Sequence, residues 1–167
     1  MKFKLSDVAN VTMGQSPKSE FFNDTATGEP FLQGVRTFGR LYPTIDTYTT
    51  EYNRLATQGS ILFSVRAPVG QINWANKDIA IGRGLAAIAP VYERVNPDYL
   101  YYLLKSMGAA IDSQSNGTVF TSINKTELNN LDLELPELAQ QEKVGTTLRL
   151  LDNKIESLSE INDNLVA

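Results

Sequence analysis

Short apolar segments separated by Gly, Pro and Thr fill the first half of the chain. Apolar segments of this length that end in turn residues are typical of buried β-strands. We predict such strands at residues 31–35, 61–65, 71–75, 79–81 and 85–88. Because the strands are many and short, they predict a twisted, partly antiparallel sheet. A helical turn with Ser6 as its cap is predicted ahead of them.

A helix is predicted after these strands. Asn96 is a good N-cap, and Pro97 suits the first helical position because its missing N–H would have no partner there. Apolar residues then recur at steps of three and four, which predicts a stripe that faces the sheet. The residues of this stripe are Tyr99, Tyr102, Leu103 and Met107.

Shorter elements are predicted on either side of this helix. Asn124 and Glu127 have the spacing of a capping box and predict a short helix. Strict alternation of apolar and polar residues over 131–135 predicts a strand with one solvated face, which Pro136 ends. Gly82-Arg83-Gly84 stands between two predicted strands and predicts a tight bend, since a dinucleotide-binding loop would lead into a helix.

Beyond Pro136 a repeat of seven residues replaces the strand pattern, and residues 139–167 contain no Pro and a single Gly, Gly145. The positions of the repeat, called the ridge residues below, are Val144, Leu148, Leu151, Ile155, Leu158, Asn162 and Leu165. They predict a coiled-coil helix in which the polar Asn162 fixes the register. Because a lone amphipathic helix is unstable in water, we expect the ridge to pair with another helix. The alternative is a terminal helix that folds back on its own domain.

The predicted fold class is therefore α/β (α+β). Residues 1–136 are expected to form a globular domain around a short-stranded, twisted mixed sheet, and residues 137–167 one long C-terminal coiled-coil helix. The charged residues differ between the two parts of the chain as well, with a boundary near residue 126. Residues 1–126 contain 12 bases and 10 acids, whereas residues 127–167 contain 3 bases and 9 acids, so the net charge of −4 comes from the helical end. The body is weakly basic and able to face phosphates.

The 167 residues include neither Cys nor His. This excludes disulfides, thiol nucleophiles, Ser-His relays and ordinary zinc sites, and we expect no cofactor, no metal and no enzymatic activity. An enzyme that uses an oxygen-bound metal is the remaining catalytic alternative. No apolar run approaches the roughly 18 residues that span a bilayer, so a cytoplasmic protein without a membrane partner is expected.

Side chains of the types that read DNA are concentrated in polar loops. Arg pairs with guanine, Asn and Gln pair with adenine, and Ser, Thr and Lys contact phosphates. The candidate DNA-binding residues are Gln15, Lys18, Gln33, Arg36, Arg40, Arg66, Arg83, Ser115, Asn116 and Thr118. Two structural alternatives stay open: Asn116-Gly117 only makes a hairpin turn, and Arg66 and Arg83 only pair with surface acids.

The order of these features resembles the specificity subunit of type I restriction-modification systems. Gly14-Gln15-Ser16-Pro17 is similar to the family's opening, and Ile81–Ile88 is similar to its recurrent glycine string. The most specific segment is Leu131–Pro136 leading into residues 148–155, which resembles the join between a recognition domain and a conserved helix. Each string is weak alone, but together, in this order and spacing, they form a specific signal.

The resemblance implies a function that composition does not. Such subunits carry two target recognition domains, held apart by two antiparallel helices, and each domain reads one half of a split DNA site. The helices dock the methyltransferase (modification) subunits, and the nuclease-translocase subunit joins that assembly. Chemistry lies in those partners, which agrees with the lack of a catalytic motif here.

This sequence departs from the family pattern because it contains one domain and one helix, about half the usual length. We expect a half-length subunit that binds double-stranded DNA and forms a homodimer through its ridge residues. The alternatives are a truncated fragment of a longer subunit, a recognition domain of another restriction-modification architecture, and a coiled-coil interaction protein without a DNA role.

Overall fold

The computed structural model describes residues 1–113 and 122–166. Its helices and strands, with a 3₁₀ turn at Ser19–Phe21, are β1 (Lys2–Lys4), α1 (Leu5–Val8), β2 (Ala9–Met13), β3 (Phe22–Asn23), β4 (Glu29–Leu32), β5 (Tyr48–Thr49), β6 (Leu55–Ala56), β7 (Ile61–Ser64), β8 (Ile72–Trp74), β9 (Ile79–Ile81), β10 (Leu85–Pro90), α2 (Pro97–Ser113), α3 (Lys125–Asn129), β11 (Asp132–Glu134) and α4 (Leu138–Val166). Each predicted element has a counterpart, with bounds that differ by a few residues.

The described strands form three sheets, with the neighbour orders β1-β11, β2-β10-β7-β8 and β3-β5-β4-β9-β6. Strands β4 and β9 run parallel, and the other pairs are antiparallel. The mixed sheets and the long last helix confirm the predicted fold class. The prediction of a single sheet was too simple, because the short strands are divided between three.

Strand β10 lies between two hydrophobic cores. Ala86 and Ile88 belong to the core that α2 shares with the four-stranded sheet, whereas Leu85 and Ala87 belong to the core between the four- and five-stranded sheets. Because both faces of the strand are buried, its sequence shows a continuous apolar run and no alternation.

Helix α2 begins as predicted, since Asn96 Oδ1 accepts a hydrogen bond from Tyr99 N at 2.9 Å. The side chains that it buries completely are Leu100, Tyr101 and Leu104, whereas the residues of the predicted stripe are only partly buried. The stripe was wrong because α2 packs on the sheet with one face and against α4 with another.

The caps of the two short helices differ in how well they were predicted. The capping box of α3 is confirmed: Glu127 N donates to Asn124 Oδ1, and Asn124 N donates to Glu127 Oε2. The prediction for α1 was wrong, because Lys4 occupies the N-cap position, and its backbone N–H donates to Asp7 Oδ2 at 2.7 Å.

Helix α4 confirms the predicted long C-terminal helix. Its 29 residues extend over about 44 Å at roughly 1.5 Å per residue. The first half of α4 lies along α2, and residues 153–166 extend beyond the body. Among the helices described, none is both long and apolar enough to cross a membrane.

Candidate nucleic-acid interface

Three polar segments that are distant in sequence meet on one surface of the domain: residues 14–18, 33–36 and 82–84. Ser16 Oγ joins them, because it donates a hydrogen bond to Gln33 Oε1 at 2.9 Å and accepts one from Arg83 N at 3.1 Å. Gln15, Gln33 and Arg83 are exposed beside it. We call these four residues the convergent face.

The backbone beneath the convergent face is held in place by close packing of glycines. A Cβ atom at Gly14 would lie 2.1 Å from Gly82 O, and one at Gly84 would lie 2.5 Å from Gln33 O. Backbone hydrogen bonds fix the same approach, since Gly14 N donates to Leu85 O at 2.8 Å and Gly84 N donates to Gln33 O at 3.2 Å. The predicted bend at 82–84 is therefore confirmed, and its glycines also allow the loop that contains Gln33 to pack closely against it.

The side chains of the convergent face are available to a ligand. Gln33 uses Oε1 to accept from Ser16, which leaves its Nε2 group as a donor. Arg83 is exposed and forms no ion pair with any side chain of residues 1–108 or 122–165. The face therefore presents amides and one guanidinium on a rigid backbone, which suits base edges.

Three further candidates, called the marginal cations below, are near the convergent face along the chain or through the backbone. Lys18 is two residues from Ser16, Arg36 is three residues from Gln33, and Arg66 follows Val65, whose N donates to Gly84 O at 3.0 Å. Arg36 is paired with Asp46, at 2.8 Å between Nη2 and Oδ2, and both side chains are exposed. Hydrogen bonds from Thr47 and Arg36 hold the pKa of Asp46 below its usual value. Lys18 and Arg66 are exposed. Because an exposed ion pair contributes little stability, the guanidinium of Arg36 can exchange its partner for another anion.

The candidates Ser115, Asn116 and Thr118 lie outside the described residues. The segment that contains them is flanked by Ser113, the last residue of α2, and by Ser122, which bridges to Arg66. Their assignment stays a prediction.

Arg40 occupies a different environment from the other candidate arginines. Its Nη2 lies 2.8 Å from Asp152 Oδ1 on α4, so its guanidinium joins the segment between β4 and β5 to the helix. Asp152 also accepts a hydrogen bond from Tyr102 Oη at 2.9 Å and faces Lys105 Nζ at 3.8 Å. Burial opposes the ionisation of Asp152, but the hydrogen bonds from Tyr102 and Arg40 outweigh it, and the pKa of Asp152 lies below its usual value.

Asp152 is one of four residues through which α4 docks on the body. We call Gln141, Gly145, Arg149 and Asp152 the docking stripe. Gln141, which is 2% exposed, accepts from Asn96 N and donates to Pro136 O. Their spacing of three and four residues places them on one side of the helix.

Arg149 is the central residue of the docking stripe. Its guanidinium carbon lies 5.0 Å from the ring centre of Trp74 and 5.6 Å from that of Tyr42, and Nη2 donates to Tyr42 Oη at 2.8 Å. Asp98 Oδ1 lies 3.9 Å from its Nε. Cation–π contacts and hydrogen bonds thus join α4 to the loop that also contains Arg40 and to β8.

The ridge residues lie on a neighbouring side of α4 and remain exposed. Leu151 is 57% exposed, Leu158 is 47% exposed and Leu165 is 78% exposed. Val144 and Ile155 are also exposed, whereas Leu148 is partly buried. The alternative of a helix folded back on its domain is therefore correct in part. Helix α4 does dock on the body, but through the docking stripe and not through the ridge residues.

Sequence reasoning missed the docking stripe and also Ser16, which joins the three segments of the convergent face. The docking stripe has no apolar pattern, so the only signal in the sequence was Gly145, the single glycine of a long helix. For metals, the described residues contain no cluster of three or more acidic side chains that could hold an ion.

The fold and the site together define a mixed α/β domain with an exposed polar face, joined to a long helix with an exposed apolar ridge. The family model described as the type I restriction modification DNA specificity domain matches residues 1–167. The chain belongs to this family.

Individual relatives agree with the family match. The chain is 38% identical over 146 residues to the putative type I restriction enzyme MjaX specificity subunit of Methanocaldococcus jannaschii. This match covers 87% of this chain and 34% of the relative. It is similar to the HsdS subunit of Thermoanaerobacter tengcongensis, with a TM-score of 0.79, 33% identity and coverage of 96% and 39%.

A second solved structure, a chain studied for complex assembly and conformational transition of the type I R-M system, gives a TM-score of 0.83 at 33% identity. It covers 99% of this chain and 41% of that one. The chain therefore spans between a third and two-fifths of the length of these relatives.

Proposed function

We propose that this chain is a non-catalytic, sequence-specific DNA-recognition subunit of a type I restriction-modification complex. The observation that carries the proposal is the convergent face, where Gln15, Gln33 and Arg83 stand exposed on a backbone fixed by hydrogen bonds and close glycine packing. Amides of Gln suit adenine, and the Arg guanidinium suits guanine. The family match over the whole chain supports the same function and disfavours an interaction protein without a DNA role.

We propose different roles for the candidate residues. Gln15, Gln33 and Arg83 contact base edges, and the marginal cations contact bases or phosphates, together with the polar residues beyond α2. These are Lys18, Arg36, Arg66, Ser115, Asn116 and Thr118. Arg40 is proposed to act as a linking residue, because its guanidinium is engaged by Asp152 of the helix.

We propose further that the chain forms a homodimer through its ridge residues. Two copies of α4 would pair along Val144, Leu151, Ile155 and Leu158, whose exposed apolar surface is costly to leave in water. A two-fold pair carries two identical convergent faces and reads a palindromic split site. The length of α4, about 44 Å, is compatible with half-sites about one turn of DNA apart, roughly 34–36 Å.

In this proposal, residues 1–136 are the target recognition domain and residues 137–167 the dimerisation and spacer helix. The dimer docks methyltransferase subunits, and a nuclease-translocase subunit joins them. The chain itself contributes no cofactor and no catalytic residue, and it acts in the cytoplasm, where the DNA is. Because the body carries little net positive charge, we expect weak DNA affinity for the chain alone.

Selection from a random duplex library tests the DNA role. The wild-type chain, bound to the library at low salt, is expected to enrich one half-site motif. Arg83→Ala is expected to lose discrimination at one base pair by about 1–3 kcal/mol, or roughly 5- to 150-fold in enrichment, because a bidentate contact is removed. Gln33→Ala removes the single donor group that the hydrogen bond from Ser16 leaves free, and it is expected to lose discrimination at one base pair by a smaller factor. Sequencing of the bound pool measures the change.

Lys77→Ala is the matched control. It removes an exposed cation at the other end of β9 from the convergent face and is expected to leave the motif unchanged. A wild-type chain that enriches no motif, or a motif that survives both substitutions intact, would contradict the proposed function.

A further inference from the structure

A cleft of about 490 Å³ opens beside the convergent face. It is lined by the end of β2 and the residues that follow it, from Val11 to Gln15, and by Arg54 and Lys125. The lining includes two cations and no carboxylate. None of the features recognised in the sequence accounts for this pairing.

The two cations are free to take an anion. Arg54 and Lys125 are exposed, and neither forms an ion pair with any side chain of residues 1–108 or 122–165. The guanidinium of Arg54 donates only a long hydrogen bond, 3.3 Å, to the carbonyl of Asn53. Glu127, the acid nearest to Lys125 in sequence, is engaged by Asn124 N at 2.8 Å.

The positions of the two cations are fixed by separate elements. Arg54 directly precedes β6, and its carbonyl accepts a hydrogen bond from Ile81 N at 3.0 Å. Lys125 is the first residue of α3, which packs against β2. The tertiary fold, and not a local run of basic residues, brings them to one cleft.

The cleft is continuous with the convergent face, because Gln15 belongs to both. In a DNA complex the phosphate backbone runs along the edge of the groove whose bases are read, and about half or more of the contacts go to it. We propose that Arg54 and Lys125 bind the phosphate backbone of the duplex whose bases face Gln15, Gln33 and Arg83. This inference rests on the proposed function.

The shape of the cleft favours a phosphate backbone over a small molecule. Sites for small molecules are concave and mostly apolar, with few polar groups. Here the cleft is open to solvent, and two of the seven residues that line it are cations. An extended polyanion can pass along such a cleft and contact both cations.

Non-specific binding to duplex DNA isolates the contribution of the two cations, since phosphate contacts supply nearly all of the affinity in such binding. The full chain is titrated into a fluorescein-labelled duplex of mixed sequence at several KCl concentrations, with fluorescence anisotropy as the readout. Each contact contributes about 0.9 to the slope of log K against log salt. Arg54→Ala and Lys125→Ala are each expected to lower the magnitude of the slope by that amount, and the double variant by about 1.8.

Two variants serve as controls, and thermal melts establish that every variant is folded. Arg54→Lys keeps the charge and is expected to keep the slope. Lys143→Ala removes an exposed cation from α4, outside the cleft, and is expected to leave the slope unchanged.

An unchanged slope in the double variant overturns the inference. If Arg83→Ala still alters the selected motif in that case, the proposed function stands without the cleft. If the wild-type chain shows no salt-dependent binding, both fail. A double variant that loses binding to polyglutamate but not to the duplex assigns the cleft to an acidic protein and also overturns the inference.

Discussion

Replacing Leu151 and Leu158 with aspartate is expected to convert the proposed dimer into a monomer at micromolar concentration. Both side chains are about half exposed in the single chain, and pairing of two ridges would bury them. A buried leucine contributes about 1.5–3 kcal/mol, and an unpaired carboxylate at the same place opposes association. We therefore expect dissociation to be favoured by more than about 100-fold, equivalent to about 2.7 kcal/mol. Analytical ultracentrifugation measures the change.

The control pair is Thr146→Asp with Asn153→Asp. These residues have the same spacing of seven and are also exposed, but they lie on the side of α4 opposite to the ridge. They add the same charge to the same helix and are expected to leave the dimer intact. A wild-type chain that sediments as a monomer at these concentrations would refute the pairing of ridges.

Gly145→Ala is expected to destabilise the protein, although it replaces glycine with the best helix former. In an exposed helix this change would stabilise by about 1 kcal/mol. Here a Cβ atom at Gly145 would lie 2.6 Å from Asn96 Oδ1 and 2.7 Å from Tyr99 N, at the first turn of α2. Overpacking of this kind costs about 1–3 kcal/mol or more, because backbone has to shift. The sign of the effect therefore reports whether α4 is docked.

A thermal melt followed by circular dichroism measures this effect. We expect the melting temperature of Gly145→Ala to fall by several degrees, since each kcal/mol corresponds to roughly 2–4 °C in a domain of this size. Ser159→Ala, on the part of α4 beyond the body, is the control and is expected not to lower it. A rise in the melting temperature of Gly145→Ala would mean that α4 does not dock through this glycine.

The elements that sequence reasoning predicted well are those whose signals are local. The cap of α2 at Asn96, the capping box of α3 and the seven-residue repeat of α4 all depend on residues within one or two turns of helix. The ridge residues in particular were predicted from their spacing alone. Their exposure agrees with the proposal that they pair with another helix.

The contacts that were missed are made between distant residues. Arg40 and Asp152 are 112 positions apart, and Ser16 and Arg83 are 67 positions apart. Hydrophobic periodicity identifies only apolar faces, so it found the ridge and not the polar docking stripe beside it. For the same reason Arg40 looked like the other loop arginines, and only the fold shows that its guanidinium is held by the helix.

The account depends on a division of roles, in which the globular domain reads bases and α4 determines where two such domains stand. The most direct test of this division of roles is to map methylated positions by sequencing the DNA of cells with and without this gene. Both kinds of cell contain the methyltransferase subunits. We expect methylation that depends on the gene to fall in two identical half-sites of opposite orientation, separated by a fixed gap. Methylation within one continuous motif, or a pattern that does not change when the gene is removed, would contradict the account.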